Sequence, residues 1–259
     1  AASTSSLVLP GSAVAPAARA ELRGRTILAA GVCAYNAGDY AESIRFLSRN
    51  TGEGEQELWR AESWLYLGRA YYKLDRLEEA SRSFGAAAGL LEDPQHAEEG
   101  LFWQGLCEFR LNRLGQAKAT FLEAARRFPA GSRAAESLYR AGLCAAQEKQ
   151  FAESADYYER ALSALRSLRA EAGYRGNLEQ EILYQQGWSA FHGGDRGRAL
   201  RSFEALARVN PEGGLAAEAF FKLAEEDLRA GDTRQALRGF LGVRERFPKD
   251  PAAVAALYW

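Results

Sequence analysis

Two histidines, three cysteines and a scatter of adjacent acids are the residues of this chain whose chemistry could support a reaction. His96 and His192 stand far apart, and neither has a second base or ligand at a spacing that would bring it into register. Both read as solvated surface residues. The acid pairs Glu78-Glu79, Glu98-Glu99 and Glu225-Glu226 are sequence neighbours. Neighbours on a helix point in different directions, so these pairs form no carboxylate dyad and read as solvated faces. The chain has no HExxH, no CxxC, no phosphate-cradling glycine loop and no strand-turn-helix nucleophile motif. Cys33, Cys107 and Cys144 share one position relative to a recurring small residue, which assigns them a packing role as small hydrophobes. Equivalent helices of neighbouring units lie ~10 Å apart. A disulfide needs Cα atoms within ~7 Å, so the cysteines are expected to stay reduced and to hold no metal. The reading is therefore non-enzymatic, with no cofactor and no metal.

The elements that carry these residues repeat. The stretch Ala61–Gly89 contains Trp64-x-x-Leu67-Gly68-x-x-Tyr71 and then Ala80-x-x-x-Phe84-x-x-Ala87. Each half has the one-turn spacing of an amphipathic helix, and Leu74-Asp75-Arg76 breaks them apart. Gly68 recurs at 37-residue intervals as Gly31, Gly105 and Gly142, then as Gly187 after 45 residues and as Ala224 after a further 37. Twelve residues beyond each lies a second small residue: Ser43, Ala80, Ala117, Ser154, Ala199, Ala236. Sixteen beyond lies a large one: Leu47, Phe84, Phe121, Tyr158, Phe203, Phe240. Four before lies Ile27, Trp64, Leu101, Leu138, Leu183 or Phe220. Seven beyond stand Gly38, Asp75, Asn112, Lys149, Gly194 and Gly231; all but Lys149 readily take a left-handed helix end, so a different turn or local strain is expected at Lys149.

This pattern resembles the tetratricopeptide repeat, a helix–turn–helix unit of 34 residues. The period here is three longer, and the extra residues fall between units. The resemblance implies an all-α fold: a right-handed α-solenoid of six helix pairs with an extra trailing helix. The units span about 16–50, 58–92, 94–129, 132–172, 178–211 and 214–248, with a seventh pair beginning at 251–259. Residues 1–15, rich in Ala, Ser and Pro around Leu7-Val8-Leu9, read as a linker or the start of a processed secreted chain. Asp93-Pro94 and Asp250-Pro251 are cap-plus-proline helix starts, and Ser132 is expected to cap the fourth unit. The eight extra residues of the 45-residue interval are placed on the second helix of unit four, extending it to Ala172, with Gly173 and Gly176 ending it. The lack of any Met and the stop within a seventh unit suggest a piece of a longer protein.

Net charge is −1 and no basic run occurs, which argues against nucleic acid as the partner. No apolar stretch approaches the ~20 residues of a membrane-spanning helix.

In the family, positions three before and four after the small column point into a concave face, and the positions one and five after are read beside them. Here they are aromatic with a basic edge, a composition suited to protein contacts. The positions singled out for a partner are Arg69, Tyr72, Lys73, Phe109, Arg110, Tyr139, Tyr184, Trp188 and Phe191, joined by Tyr174 and Arg175 from the insertion. The same rings could instead close the seam between units. The acidic column Glu62, Glu99, Glu136, Glu181, Glu218 lies near helix starts, where the helix dipole accounts for it. The function implied is a scaffold that lays a partner's peptide or helix in its groove. Structural homo-oligomerisation and a regulatory domain of a larger enzyme are the alternatives. The endings Arg127-Phe128-Pro129 and Arg246-Phe247-Pro248 are similar to the repeat subtype of bacterial cell-envelope proteins. That subtype includes the periplasmic protein working with the Tol–Pal system and the lipoprotein of the outer-membrane barrel-assembly machine. A periplasmic or envelope location is the resulting expectation. No lipidated cysteine precedes the repeats, and free cysteines favour a reducing compartment, so a cytoplasmic location is the alternative.

Overall fold

The computed structural model describes residues 16–52, 57–90, 94–168, 172–211 and 214–258, of which the side chains at 16, 17, 57, 58, 94, 95 and 172–175 are excepted. The 1–15 segment and Asp93 lie outside the described residues. The chain divides into two compact units, residues 1–92 and 93–259. Among the described residues the secondary structure is entirely helical.

The first unit holds α1 (Pro16–Asn36), α2 (Tyr40–Leu47) with a short 3-10 turn at Ser48–Asn50, α3 (Glu57–Lys73) and α4 (Leu77–Leu90). The two columns of the repeat meet here as expected. A Cβ on Gly68 would lie 2.7 Å from the Phe84 ring, and one on Gly31 would strike Leu47. The small residue lets two antiparallel helices approach, and the large one fills the space beside it. Leu28, Leu47 and Leu67 form the buried cluster. Buried Asn50 donates to the Gly24 carbonyl at 2.8 Å and ties the end of the first pair to its own first helix.

The second unit holds α5 (Pro94–Arg110), α6 (Leu114–Arg127), α7 (Ala134–Gln147), α8 (Phe151–Ser167), α9 (Ala172–His192), α10 (Arg196–Val209), α11 (Gly214–Arg229), α12 (Thr233–Arg246) and the short α13 (Pro251–Ala255). The same contact recurs as Gly105 under Phe121, Gly142 under Tyr158 and Gly187 under Phe203. Ser154 of the second small column donates to the Gly142 carbonyl at 2.8 Å, which places the two small columns in contact. In the last pair the contact is inverted. Ala224 carries the methyl, and Gly239 on α12 makes room for it, since a Cβ there would lie 2.7 Å from that of Ala224.

All six intra-pair turns are one structure. Gly38, Asp75, Asn112, Lys149, Gly194 and Gly231 all have positive φ. In each, the residue's own N–H and the next one bond back to the helix in the two-bond pattern of a Schellman cap. Lys149 is no exception. Its φ is 61°, its N–H donates to Ala146 O at 2.9 Å, and Gln150 N–H donates to Ala145 O at 2.8 Å. The hydrogen bonds and the packing of the pair hold the shared turn, and the left-handed strain stays local.

Two sequence expectations are corrected. Ser132 does not cap α7: Arg133 occupies the N-cap without a side-chain cap, and its N–H donates instead to Glu98 Oε1 of α5 at 2.8 Å. The insertion does not prolong α8 to Ala172 either. That helix ends at Ser167, with Leu168 extended, and α9 starts at Ala172 and runs for 21 residues. Gly173 and Gly176 thus lie in the opening turns of α9 rather than closing α8. The reason is the apolar pair Leu178 and Ile182, one turn apart, which α9 buries in the same cluster as Leu162 and Leu165. Glycine is least costly in a first turn, where backbone donors have no helical partner.

Candidate functional site

On α9, Tyr184, Trp188 and His192 follow one another at intervals of four and share one face of the helix. Together with Lys222, Glu225, Glu226 and Arg229 of α11 they line a cleft of about 360 Å³. The rings brace one another. Tyr184 and Trp188 meet edge to face at 6.2 Å, and Trp188 lies 5.9 Å from His192. Behind them, Trp188 packs on Phe203 at 5.3 Å and crosses Phe191 at right angles at 5.8 Å. The buried cluster of Ala190, Ala199, Phe203, Ala219 and Leu223 supports this layer from below. His192 is exposed and also touches Phe151 at 5.4 Å. The α11 wall is charged. Lys222 pairs with Glu218, a hydrogen bond that raises the lysine pKa, and Arg229 pairs with Glu226. The half-buried Glu225 has no ion pair among the described residues. The cleft thus joins an aromatic floor to one uncommitted carboxylate. That arrangement suits an apolar side chain and a neighbouring cation.

The structure brings together only some of the residues singled out from sequence. Tyr184, Trp188 and Phe191 belong to this cluster, with Phe191 in the layer behind. Tyr139 is corrected: it is 7% exposed and packs against Tyr158 at 5.8 Å, because α7 turns that face toward α8. Burial, with Glu181 nearby, pushes its hydroxyl pKa up to about 12. Phe109 is half-buried against the Phe102–Phe121 cluster, and Arg110 is exposed at the end of α5. Arg69, Tyr72 and Lys73 lie on α3 of the first unit. Arg69 stacks on Tyr66 at 4.8 Å, Tyr72 is half-buried and Lys73 is exposed. Tyr174 and Arg175 fall in the first turn of α9, and their side chains lie outside the described residues. The α11 wall was under-read. Glu225 and Arg229 stand one and five residues after the small position Ala224, as Trp188 and His192 stand after Gly187 on α9, whereas Lys222 lies outside every column considered.

Among the described residues no group of three His, Cys, Asp or Glu could hold a metal. The cysteines are free. Cys107 and Cys144 are buried, and desolvation pushes each thiol pKa up to about 12, which removes the thiolate a nucleophile or ligand needs. Cys33 is exposed, against its expected packing role.

The tetratricopeptide-repeat profile matches residues 67–132, 104–170 and 184–225, more than half of the chain. The chain is a tetratricopeptide-repeat protein. Among solved structures this repeat protein resembles MamA, with 17% identity over 74% of this chain and 94% of that one at a TM-score of 0.59. It also resembles BtubC from P. vanneervenii, with 16% identity over 76% and 83% at 0.59. A MamA fragment from Desulfovibrio magneticus RS-1 follows, with 15% over 73% and 96% at 0.53. At these identities the likeness concerns the fold. No curated protein matches the chain. Among the described residues no helix is long and apolar enough to cross a membrane.

Proposed function

We propose that this tetratricopeptide-repeat protein is a non-enzymatic scaffold whose α9–α11 cleft takes a short segment of another protein. The observation that carries the reading is the run Tyr184, Trp188, His192 along one open cleft, with Glu225 beside it. Stacked repeats offer extended binding surfaces, and aromatic side chains held rigid by a packed layer anchor a ligand at low entropic cost. The preferred segment carries an apolar residue for the ring floor and a Lys or Arg for Glu225. A role in bacterial envelope assembly belongs to the same reading. It rests on the Arg-Phe-Pro unit endings and is tested by fractionating cells that express the tagged natural protein.

The cleft is tested by selecting peptides from a random displayed library and measuring their affinity for Trp188→Ala and Glu225→Lys proteins. Selected peptides should share an apolar–basic pair and lose about tenfold or more in affinity with either variant. Peptides without that pair, or affinities that neither variant changes, overturn the reading.

A further inference from the structure

The face of α11 opposite the cleft opens onto a second groove of a different character. Phe220, Leu223, Ala224 and Asp227 stand two residues away from the cleft-lining series Lys222, Glu225, Glu226, Arg229. Two residues are about 200° of helical turn, so the two series point in opposite directions. The first series floors a groove of about 310 Å³ between α10 and α12. Leu200, Phe220, Leu223 and Val243 supply its apolar lining, and Arg238 and Arg246 stand at its α12 side. Gly242 leaves that side low, since a Cβ there would meet nothing within 4 Å.

The two helices that flank this groove are rich in arginine. Helices α10 and α12 carry eight arginines against two acids, Glu204 and Glu245. Arg196 is neutralised by buried Asp227 at 2.6 Å, and Arg198 by Asp156 and Glu159 at 2.7 Å each. Arg201, Arg208, Arg234, Arg238, Arg244 and Arg246 are exposed. None of these six has an ion pair among the described residues; Arg246 lies over the Phe220 ring at 5.3 Å. Beside the groove, Leu237 (53% exposed) and Leu241 (41%) stand one turn apart on α12. Of these six, Arg238 and Arg246 line the groove itself, where Glu204 is the acid without an ion pair among the described residues, and Arg201 lines a separate cleft with α8 and α9.

We infer that the α10–α12 groove is a second docking surface, and that its occupant is an acidic amphipathic helix of a partner protein. The partner's carboxylates pair with the arginine rim, and its apolar stripe fills the floor over Phe220 and Leu223. Arginine forks suit carboxylates in two-point contacts. The floor decides against a nucleic acid, whose phosphate backbone has nothing apolar to place there. Glu204, also in the lining, sets the register by repelling the occupant's acids on the α10 side. The protein is then two-faced: α11 presents one side to the cleft ligand and the other to the acidic helix.

The test uses fluorescence anisotropy with a labelled, roughly 18-residue amphipathic helix of Leu and Glu, about five turns long. The expected result is saturable binding that weakens as salt is raised and falls about tenfold or more with Arg238→Glu plus Arg246→Glu. Because Arg246 stacks on Phe220, Gly242→Phe serves as an independent variant. It fills the floor without altering the net charge and should weaken binding similarly, while Arg126→Glu on α6 should not change it. Equal binding of a Leu-and-Lys helix overturns the inference, as does insensitivity to both groove variants. Tighter binding of duplex DNA, or of phosphatidylglycerol vesicles, with the same variant dependence also overturns it. Because the groove and the cleft lie on opposite faces of α11, failure at one leaves the other reading standing.

Discussion

Glu98 of α5 accepts the backbone N–H of Arg133 at 2.8 Å, so a carboxylate 35 residues away terminates α7. The carboxylate is 3% exposed and lies over Gly131, and Ser132 Oγ donates to it at 3.4 Å. A buried anion at a helix N-terminus is favoured by the first-turn donors and by the dipole. Glu98→Ala would leave the Arg133 donor unmet, at a cost of about 1–3 kcal/mol. In a chain of this size that lowers Tm by roughly 2–4 °C per kcal/mol. Glu98→Gln keeps an acceptor and should lose less. Thermal unfolding of the two variants checks this, and equal losses would remove the capping role.

Gly105 and Gly242 predict opposite responses to a side chain. A Cβ added at Gly105 would stand only 2.7 Å from the Phe121 ring. Gly105→Leu should therefore cost about 1–3 kcal/mol or more through overpacking. Gly242 has open space, and Gly242→Ala should be neutral or stabilise by about 0.5–1 kcal/mol through helix propensity. Urea midpoints of the two proteins measure the contrast.

Lys149 holds φ 61° in a turn where its counterparts include three glycines, Gly38, Gly194 and Gly231. Left-handed backbone costs an L-residue roughly 1–2 kcal/mol, so Lys149→Gly should stabilise, by less than that because glycine also loosens the unfolded chain. Lys149→Val should destabilise, since a branched Cβ resists this conformation further. Denaturant unfolding distinguishes the directions.

Alkaline pH should weaken the fold through its buried thiols and phenols. Cys107 and Cys144 are raised from 9.0, and Tyr139 and Tyr157 from 10.0, each to about 12 by burial. These groups are neutral when protonated, so the unfolded chain releases their protons first. Their contribution is intact below pH 9 and is lost as pH rises from about 9 toward 12. Stability measured by urea titration across that range should fall. Replacing both buried cysteines by Ala should flatten the early part of the decline. Thiol reagent at neutral pH should label Cys33 quickly and the other two only on unfolding.

The repeat itself was legible from residue types alone. A helix pair can close only where a small residue faces a large one, and Gly68 with Phe84, or Gly105 with Phe121, carry that requirement at a constant offset. The turns were legible for the same reason, since a left-handed helix end selects Gly, Asn or Asp; Lys149 shows that packing of the pair outweighs this preference. Each of these is a relation within one pair, expressed over fewer than twenty residues.

What tertiary structure decided lies between pairs. Helix periodicity marks an apolar stripe without saying which neighbour it meets, so the start of α9 at Ala172, ahead of the expected 178, became clear only once Leu178 and Ile182 were seen buried with Leu162 and Leu165. The Tyr139 column runs from buried Leu65 and Phe102 to half-buried Tyr184 and Phe221, and the Cys33 column from buried Cys107 to exposed Cys33, so residue type and spacing do not set burial within a column. The cap on α7 comes from Glu98 in place of adjacent Ser132, because a folded neighbour can deliver a carboxylate that the local chain does not. The cleft and the groove on the two sides of α11 arise in the same way. Their walls belong to different helices, and the distance between those walls is set by how whole pairs stack, a quantity that no spacing within a single helix contains.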